Sequence, residues 1–471
     1  MIESTNLPVE QEHSKIIYDD HGRVLSGTLQ GLVDRLFTVT NSAQIDKEFC
    51  ECFLTVYRGF ARTDDLLLLV IERYKARACL DIHGEERVGL RKIMATISTQ
   101  WLEIQEVESK DERFLKEMEA FVNSASTDEL VDKESWSGLH DAIRAQLYKI
   151  RQPTLSLPLT DSSQRIELSD LDETAIAQQL MLMESELFQK IRASDYATWV
   201  KNVADERSRN LSRFFKNNYK IADWCQSMIL FISSNDIEGR ANTIGFFGRV
   251  AAVCLQIRSF STAHAIMAGL TTDFINGLEY TWRLVDKRTK ESLKQLSLIL
   301  SDEAKYKGLL DSDSGAPAVP ILSIHLRDLR CYKEVETYIE VDRNMLVNFQ
   351  TFEEVRRSIK AITKYKTLVP NIQRESVTAA YLEFELSKIG GGVDVQSRLK
   401  ARSDRLRSKE RRDYDLKRFG TAHVGFQPPK DKYSNRPLFK SPPLPESPPL
   451  LESPPVLGSP PVLESPPISP H

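Results

Sequence analysis

Several features that mark extracellular, membrane or metal-binding proteins are scarce in this sequence. Its six cysteines are scattered along 471 residues, and although Cys50 and Cys52 lie close together, no Cys-x-x-Cys pair or Cys/His cluster occurs. We therefore expect a reducing compartment and no zinc site. No apolar run approaches the ~18 residues of a membrane span, residues 1–12 lack the segments of a signal peptide, and Ser469-Pro470-His471 carries no prenylation signal. These absences predict a cytoplasmic protein that makes no membrane anchor of its own.

Motifs of covalent catalysis are missing as well. The sequence contains no glycine-rich phosphate loop ending in Lys-Ser or Lys-Thr, no nucleophile elbow and no His-Glu-x-x-His, which are signatures of nucleotide hydrolases, α/β-hydrolases and zinc proteases. His264 and His325 occur in apolar helical patterns without the spacing of metal ligands. We therefore expect no cofactor, no metal and no covalent chemistry.

The balance of charge excludes another class of partner. Lysine and arginine number 63 and the acidic residues 67, so the formal net charge at pH 7 is only -4. A chain with this balance has no global basic field for nucleic acid, and any partner must be recognised by a local patch.

What the chain does contain is helical periodicity. Its 41% hydrophobic and 28% charged residues are typical of a globular chain long enough for two or three domains. Apolar residues recur mainly at steps of three and four, while strand-like alternation is scarce, so we predict an all-α fold with two helical domains. The predicted segments are a disordered N-terminus at 1–22, a first domain at 23–122, a linker at 123–168, a second domain at 169–388, a basic linker or arm at 389–440 and a tail at 441–471.

The stretch from Pro317 to Lys366 predicts a helical hairpin. Pro317-Ala318-Val319-Pro320 opens a first helix, and a polar stretch separates it from a second. The apolar positions of the first helix are Ile321, Ile324, Leu326 and Leu329, and those of the second are Met345, Leu346, Phe349, Phe352, Val355, Ile359 and Ile362. On pattern alone, these are two core helices of an all-α domain.

Two C-terminal stretches have biased composition. Residues 398–418 are basic and poor in apolar residues, which indicates a solvated helix or flexible arm, with peripheral contact to an anionic lipid surface as the alternative. From Ser441 onward, Ser-Pro-Pro recurs every six residues, so this tail should be an extended polyproline II chain without a core. It could serve an SH3 or WW domain or a proline-directed kinase, or it could be a plain solvated tail.

Five stretches resemble a known family. Residues 26–122 resemble the Ras-exchanger-motif domain, and residues 169–386 resemble the catalytic domain of Ras-type guanine-nucleotide exchange factors. The matching residues are Gly27-Thr28-Leu29 with 53–60 (Phe-Leu-Thr-Val-Tyr-Arg-Gly-Phe); Ala177-Gln178-Gln179-Leu180 with Glu184 and Leu187-Phe188; Trp224 with Ile229-Leu230; Phe260, Ala265-Ile266, Gly269-Leu270 and Thr281-Trp282; and 317–329 with Val347-Asn348-Phe349. Their order and spacing are those of the family.

The resemblance implies a function for the hairpin. In the family, a helical hairpin protrudes from an α-helical bowl, enters the nucleotide site of a Ras-family small GTPase and disturbs its magnesium and phosphate subsites. Carried over by position, the catalytic set is Leu329, Arg330 and Glu334, with Glu334 facing the phosphate subsite. Arg330 replaces a usually apolar or small residue, and Val335-Glu336 replaces a glycine-containing turn.

The resemblance also implies supporting and binding residues. The GTPase-binding set is Lys216, His264, Thr271, Asn276 and Tyr306, and the hairpin is supported by Pro320, Asn348 and Phe349. The first domain should buttress the second. The alternative is a non-catalytic scaffold of the same fold that binds a GTPase or SH3/WW partners, and the two departures at the tip favour it.

Overall fold

A computed structural model describes residues 15–39, 45–79, 85–105, 111–125, 133–151, 167–201, 209–313, 315–390 and 393–419. Over these ranges the protein is all-α apart from four short strands, which confirms the predicted fold class. The predictions for residues 1–14 and for the Pro-rich tail at 441–471 lie outside the described residues.

In the described residues of the N-terminal unit, 15–151, two strands and six α-helices surround one apolar cluster. Thr28 caps the first helix, because its hydroxyl accepts the Gly31 N–H at 3.1 Å. Its elements are β1 (Ile16–Tyr18), β2 (Val24–Gly27), α1 (Leu29–Leu36), α2 (Lys47–Val56), a 3-10 turn (Tyr57–Gly59), α3 (Thr63–Ala78), α4 (Glu85–Gln105), α5 (Glu112–Ala125) and α6 (Lys133–Arg151).

The second unit, residues 167–419, has a separate apolar cluster that extends from Ile176 to Leu406. Its elements are α7 (Glu173–Gln189), α8 (Ala193–Lys201), α9 (Arg209–Leu230), α10 (Ile237–Gln256), α11 (Phe260–Leu270), α12 (Asp273–Asn276), α13 (Glu279–Leu284), α14 (Lys287–Ser301), α15 (Glu303–Asp311), α16 (Leu322–Arg330), β3 (Tyr338–Val341), β4 (Asn344–Val347), α17 (Phe349–Thr363), α18 (Ser376–Lys388) and α19 (Val393–Phe419).

The hairpin differs from its prediction in one respect. Helices α16 and α17 are present, but a β-hairpin lies between them, so Met345 and Leu346 belong to β4 and not to the second helix. Asp342 and Arg343 form the turn with φ of 51° and 64°, the left-handed geometry that closes two-residue hairpins. The steps of three and four expected for a helix happened to include these two strand residues.

The two units share one antiparallel sheet. Its strand order is β1-β2-β4-β3, and Gly27 of β2 pairs with Val347 of β4. The N-terminal strand β1 falls in the stretch predicted to be disordered, where Ile16 and Ile17 pair with Gly27 and Ser26. A strand of three residues carries too little pattern to be recognised, and pairing with β2 is what stabilises it.

The described parts of the two segments predicted as linkers contain packed helices. Within 123–168, α6 buries Trp136, Leu139, Ile143 and Leu147 in the N-terminal cluster. Within 389–440, α19 buries one stripe, Leu399, Ser403, Leu406 and Glu410. Hydrophobic periodicity does not indicate this stripe of α19, because half of its members are polar and do not contribute to an apolar face.

Glu184 joins α7 to the first turn of α11. The side chain is buried, and its Oε2 accepts a 2.5 Å hydrogen bond from the Thr262 hydroxyl. Burial raises the pKa of this carboxyl from 4.5 to about 7, while the hydrogen bonds from Thr262 and Ser261 act in the opposite direction.

We expect Glu184 to make stability fall with rising pH. Its unfolded pKa is lower than its folded pKa, so the native state loses stability between pH 4.5 and about 7, by up to ~3 kcal/mol. Glu184→Gln should abolish this slope. Urea unfolding of the wild type and of Glu184→Gln from pH 4.5 to 8 measures the free energy of unfolding at each pH. A difference in free energy between the two proteins that stays constant over this range would contradict the prediction.

Candidate functional site

The tip segment, residues 331–337, connects α16 to β3. Arg330, the last residue of α16, and Glu334, in the middle of the segment, are exposed, whereas Leu329 is fully buried in the apolar cluster of the second unit. Backbone bonds fold the start of the segment into tight turns, with the Lys333 N–H donating to the Arg330 carbonyl at 3.0 Å. The two charged residues of the predicted catalytic set therefore lie at the surface, and the third is part of the base.

Tyr306 and Pro320 are both buried near the start of α16. The Tyr306 hydroxyl accepts the Ile321 N–H at 2.8 Å and lies 3.1 Å from His325 Nε2. Burial lowers the pKa of His325 to about 4, so its neutral ring can accept the Tyr306 proton. Both Tyr306 and Pro320 are buried, so they fix the first residues of α16 and do not form a contact surface.

Asn348 and Phe349 anchor the other end of the hairpin. The Asn348 N–H donates to the Thr337 carbonyl at 2.9 Å, and its side-chain amide reaches the Glu336 carbonyl at 3.4 Å. Phe349 is fully buried in the N-terminal cluster, with its ring centroid 5.2 Å from that of Phe49. The start of α17 is thus held by the other unit.

Three further contacts join the N-terminal unit to the hairpin. The Tyr338 hydroxyl donates to the Phe60 carbonyl at 2.6 Å, and Arg356 pairs with Glu51 at 3.0 Å. Gly59 is required for close approach, because a Cβ there would lie 2.5 Å from the Phe352 ring. Strand pairing, aromatic packing and an ion pair therefore all attach the hairpin to the N-terminal unit.

A buried charge network, Arg58–Asp111–Arg192, joins the units next to α8. Asp111 accepts from Arg58 Nη2 at 3.0 Å and from Arg192 Nη1 at 3.2 Å. The side chains of Arg58, Asp111 and Arg192 are 4%, 7% and 1% exposed. A carboxylate shared between two guanidinium groups in such a place requires the units to remain together.

The predicted GTPase-binding residues do not share one surface. Lys216 is exposed on α9, and Asn276 is half-buried on α12, where its amide donates to the Thr271 carbonyl at 2.7 Å. His264 and Thr271 are buried, at 4% and 1% exposure, and burial lowers the pKa of His264 to about 4. Of the predicted set, only Lys216 and Asn276 offer side-chain surface to a partner.

The geometry combines an exposed, charged tip with a rigid base, and it can push charge into a partner. Sequence reasoning missed Tyr338 and the Arg58–Asp111–Arg192 network, since their partners are distant in sequence; only the Arg58-Gly59-Phe60 motif pointed to this region.

No helix of the described residues has both the length and the apolar composition of a membrane crossing. Within the described ranges, no cluster of three His, Cys, Asp or Glu residues could hold a metal ion.

Comparison with known proteins identifies both units. A family model described as the RasGEF domain matches residues 175–353, and one described as the RasGEF N-terminal motif matches residues 23–139. The chain therefore belongs to the family of Ras-type guanine-nucleotide exchange factors.

Curated relatives agree with this assignment. Ras guanine nucleotide exchange factor J of Dictyostelium discoideum is 24% identical over 396 residues, covering 78% of this chain and 48% of the relative. Cell division control protein 25 of Saccharomyces cerevisiae is 22% identical over 433 residues, covering 82% of this chain and 27% of the relative. The chain thus spans about half or less of the length of these relatives.

Proposed function

We propose that this protein accelerates guanine-nucleotide exchange on a Ras-family small GTPase. In this proposal, the end of α16 and the tip segment enter the nucleotide site of the GTPase. The observation that carries the proposal is the contrast within the hairpin. Glu334 and Arg330 are exposed at the tip, while Leu329 and Phe349 at the base are fully buried, each in a different unit. Such a base resists being pushed back when the tip meets a partner.

Exchange of this kind requires binding energy and breaks no bond. A nucleotide held at ~10 pM is bound by about 15 kcal/mol and leaves over hours at ordinary association rates. An exchange factor that competes with the nucleotide lowers the affinity of the GTPase for the nucleotide. By linkage, the nucleotide lowers the affinity of the GTPase for the exchange factor to the same extent. Entry of a new nucleotide then releases the protein unchanged.

The two tip charges act on different parts of the nucleotide site. The carboxylate of Glu334 would repel phosphate oxygens and attract the groups that had held them. The guanidinium of Arg330, at the position next to the magnesium subsite, would oppose Mg²⁺ by charge. Lys216 and Asn276 would contact the GTPase outside the nucleotide site, while Tyr306, His264 and Thr271 would act by holding the helices that carry those contacts.

We expect Glu334→Ala to slow nucleotide release by about tenfold or more, equivalent to about 1.4 kcal/mol in the barrier. The stability should change by less than about 0.5 kcal/mol, because the side chain is exposed. Release of a fluorescent guanine nucleotide from the GTPase measures the rate, and thermal unfolding measures the stability.

Glu336→Ala is the matched control for this experiment. Glu336 is exposed on the same tip segment, and it is the backbone carbonyl of Glu336 that accepts from Asn348, which the substitution leaves in place. A folded Glu334→Ala protein that works at the wild-type rate would remove Glu334 from the mechanism.

The second candidate function is a non-catalytic scaffold that binds a GTPase without exchange. The departures at Arg330 and Val335 favour it, because a bulky cation replaces an apolar or small residue at the tip. A wild-type protein that captures a nucleotide-free GTPase but leaves its release rate unchanged would establish this alternative.

The proposal also includes a place in the cell and further partners. We place the protein in the cytoplasm, peripheral to the membrane that anchors the GTPase. Exposed cations on α19 support contact with an anionic surface, namely Arg398, Lys400, Arg405, Arg411 and Arg412. An SH3 or WW domain, or a proline-directed kinase, would act on the tail beyond the described residues.

A further inference from the structure

The tip segment is held at both ends by backbone bonds. At its start, Tyr332 N–H donates to the Leu329 carbonyl at 3.2 Å, and at its end the Thr337 carbonyl accepts from Asn348 at 2.9 Å. Glu334 lies between these two anchors in a stretch without regular secondary structure. The position of its carboxylate therefore depends on what fixes the middle of the segment.

A contact with α8 lies in that middle. The Lys333 ammonium lies over the indole of Trp199, with Nζ 4.4 Å from the ring centroid. This is within the range of cation–π attraction, which is strongest for tryptophan and increases when the pair is shielded from water. Lys333 is half-buried and Trp199 is 9% exposed, so the pair is shielded in part.

Trp199 is itself a fixed platform. Its neighbours Tyr196 and Val200 are buried, and Asp195 caps the start of α8 by accepting the Arg192 N–H at 2.8 Å. Arg192 also binds Asp111 of the N-terminal unit at 3.2 Å. The indole therefore belongs to the rigid joint between the two units, and it can transmit the position of that joint to the tip.

We propose that Trp199 is a positioning residue for exchange, which holds Lys333 by a cation–π contact and so presents the adjacent Glu334 in its working position. Lysine has a long side chain that loses rotamer entropy when it is fixed, so a stable position needs a favourable contact such as this one. A tip that is already ordered loses less entropy on entering the nucleotide site. The contact should thus raise the rate at which nucleotide leaves the complex and should have little effect on the affinity for the GTPase.

The role in exchange rests on the proposed function, but the contact does not, so the test has two measurements. The first is amide hydrogen exchange over residues 331–337 of the free protein. Lys333→Met keeps the length of the side chain and removes its charge, and we expect about three- to tenfold faster exchange at the tip. Lys333→Arg keeps a cation over the ring and should recover most of the protection.

The second measurement is nucleotide release, analysed as kcat and KM for the GTPase. Lys333→Met should lower kcat about fivefold and change KM less than about twofold. Trp199→Phe changes no charge and should lower kcat in the same direction. The double variant should be little slower than Lys333→Met alone, since both changes remove one contact.

Lys388→Met is the matched control, because Lys388 makes a cation–π contact with Phe384, 3.9 Å from the centroid, on α18. It should alter neither tip exchange nor kcat. Wild-type protection at residues 331–337 in Lys333→Met, or additive effects in the double variant, would overturn the proposal. A wild-type protein without exchange activity would contradict the proposed function, while amide exchange would still decide whether Trp199 holds the tip.

Discussion

Asp111→Asn is expected to lower the free energy of unfolding by about 3–5 kcal/mol, because it leaves the buried guanidinium of Arg58 without its carboxylate and Arg192 with only its more distant ion-pair partner, Asp195. The bond from Arg192, at 3.2 Å, joins the residue before α5 of the N-terminal unit to the start of α8 in the second, whereas the bond from Arg58, at 3.0 Å, lies within the N-terminal unit. The substitution preserves shape and removes charge, so its effect is electrostatic. Urea unfolding monitored by circular dichroism measures the change.

The same substitution should also slow nucleotide release. The residue Arg192 precedes α8, and the N-terminal unit holds the base of the hairpin through Phe349 and β4, so loosening the joint between the units disorders the hairpin. Glu173→Gln is the control, because its pair with Arg249 at 2.8 Å is half exposed and should contribute less than about 1 kcal/mol. Equal, small losses in the two variants would contradict the assigned role of the Arg58–Asp111–Arg192 network.

Glu410→Gln is expected to lower the free energy of unfolding by a comparable amount, about 3–5 kcal/mol. Glu410 Oε1 accepts from Arg240 Nη2 at 2.7 Å and from the Thr281 hydroxyl at 2.6 Å. The side chains of Glu410 and Arg240 are 1% and 0% exposed. Loss of this charge leaves a buried cation and releases α19 from α10 and α13, although Glu410 lies beyond the segment that matches the catalytic domain.

Thermal unfolding of Glu410→Gln alongside Asp404→Asn tests this prediction. Asp404 is exposed on the same helix, and only its backbone carbonyl accepts a bond, from Ser408 at 2.9 Å. We expect the melting temperature of Asp404→Asn to equal that of the wild type, and the melting temperature of Glu410→Gln to be many degrees lower. A Glu410→Gln protein as stable as Asp404→Asn would show that α19 adds little to the fold.

Periodicity predicted the helices well where their buried faces are apolar. The pattern of Phe349, Phe352, Val355 and Ile359 correctly gave α17, since these side chains are buried. The pattern failed at β4, because a strand of four residues next to a helix has no distinct period, and at α19, whose buried stripe includes Ser403 and Glu410. Periodicity detects apolar faces, and it is blind to polar residues that are buried with partners.

The candidate site could be predicted only in part, for a related reason. The resemblance assigns roles to matching positions in the sequence. It therefore predicts Glu334 and Arg330 at the tip, and both are exposed there. The resemblance does not show which side chains are buried. Tyr306 and His264, which were expected to bind the GTPase, are buried. The Lys333–Trp199 contact depends on residues far apart in sequence, and no local pattern indicates such a pair.

The central claim is that this protein releases nucleotide from a Ras-family GTPase through Glu334. The most direct test is the release of a fluorescent guanine nucleotide from Ras, Rap, Ral and Rho-type GTPases, with wild-type protein and with Glu334→Ala. We predict that the wild type accelerates release from at least one Ras-family member and that Glu334→Ala loses about tenfold or more of that acceleration. A folded wild-type protein that accelerates release from none of them would contradict the account.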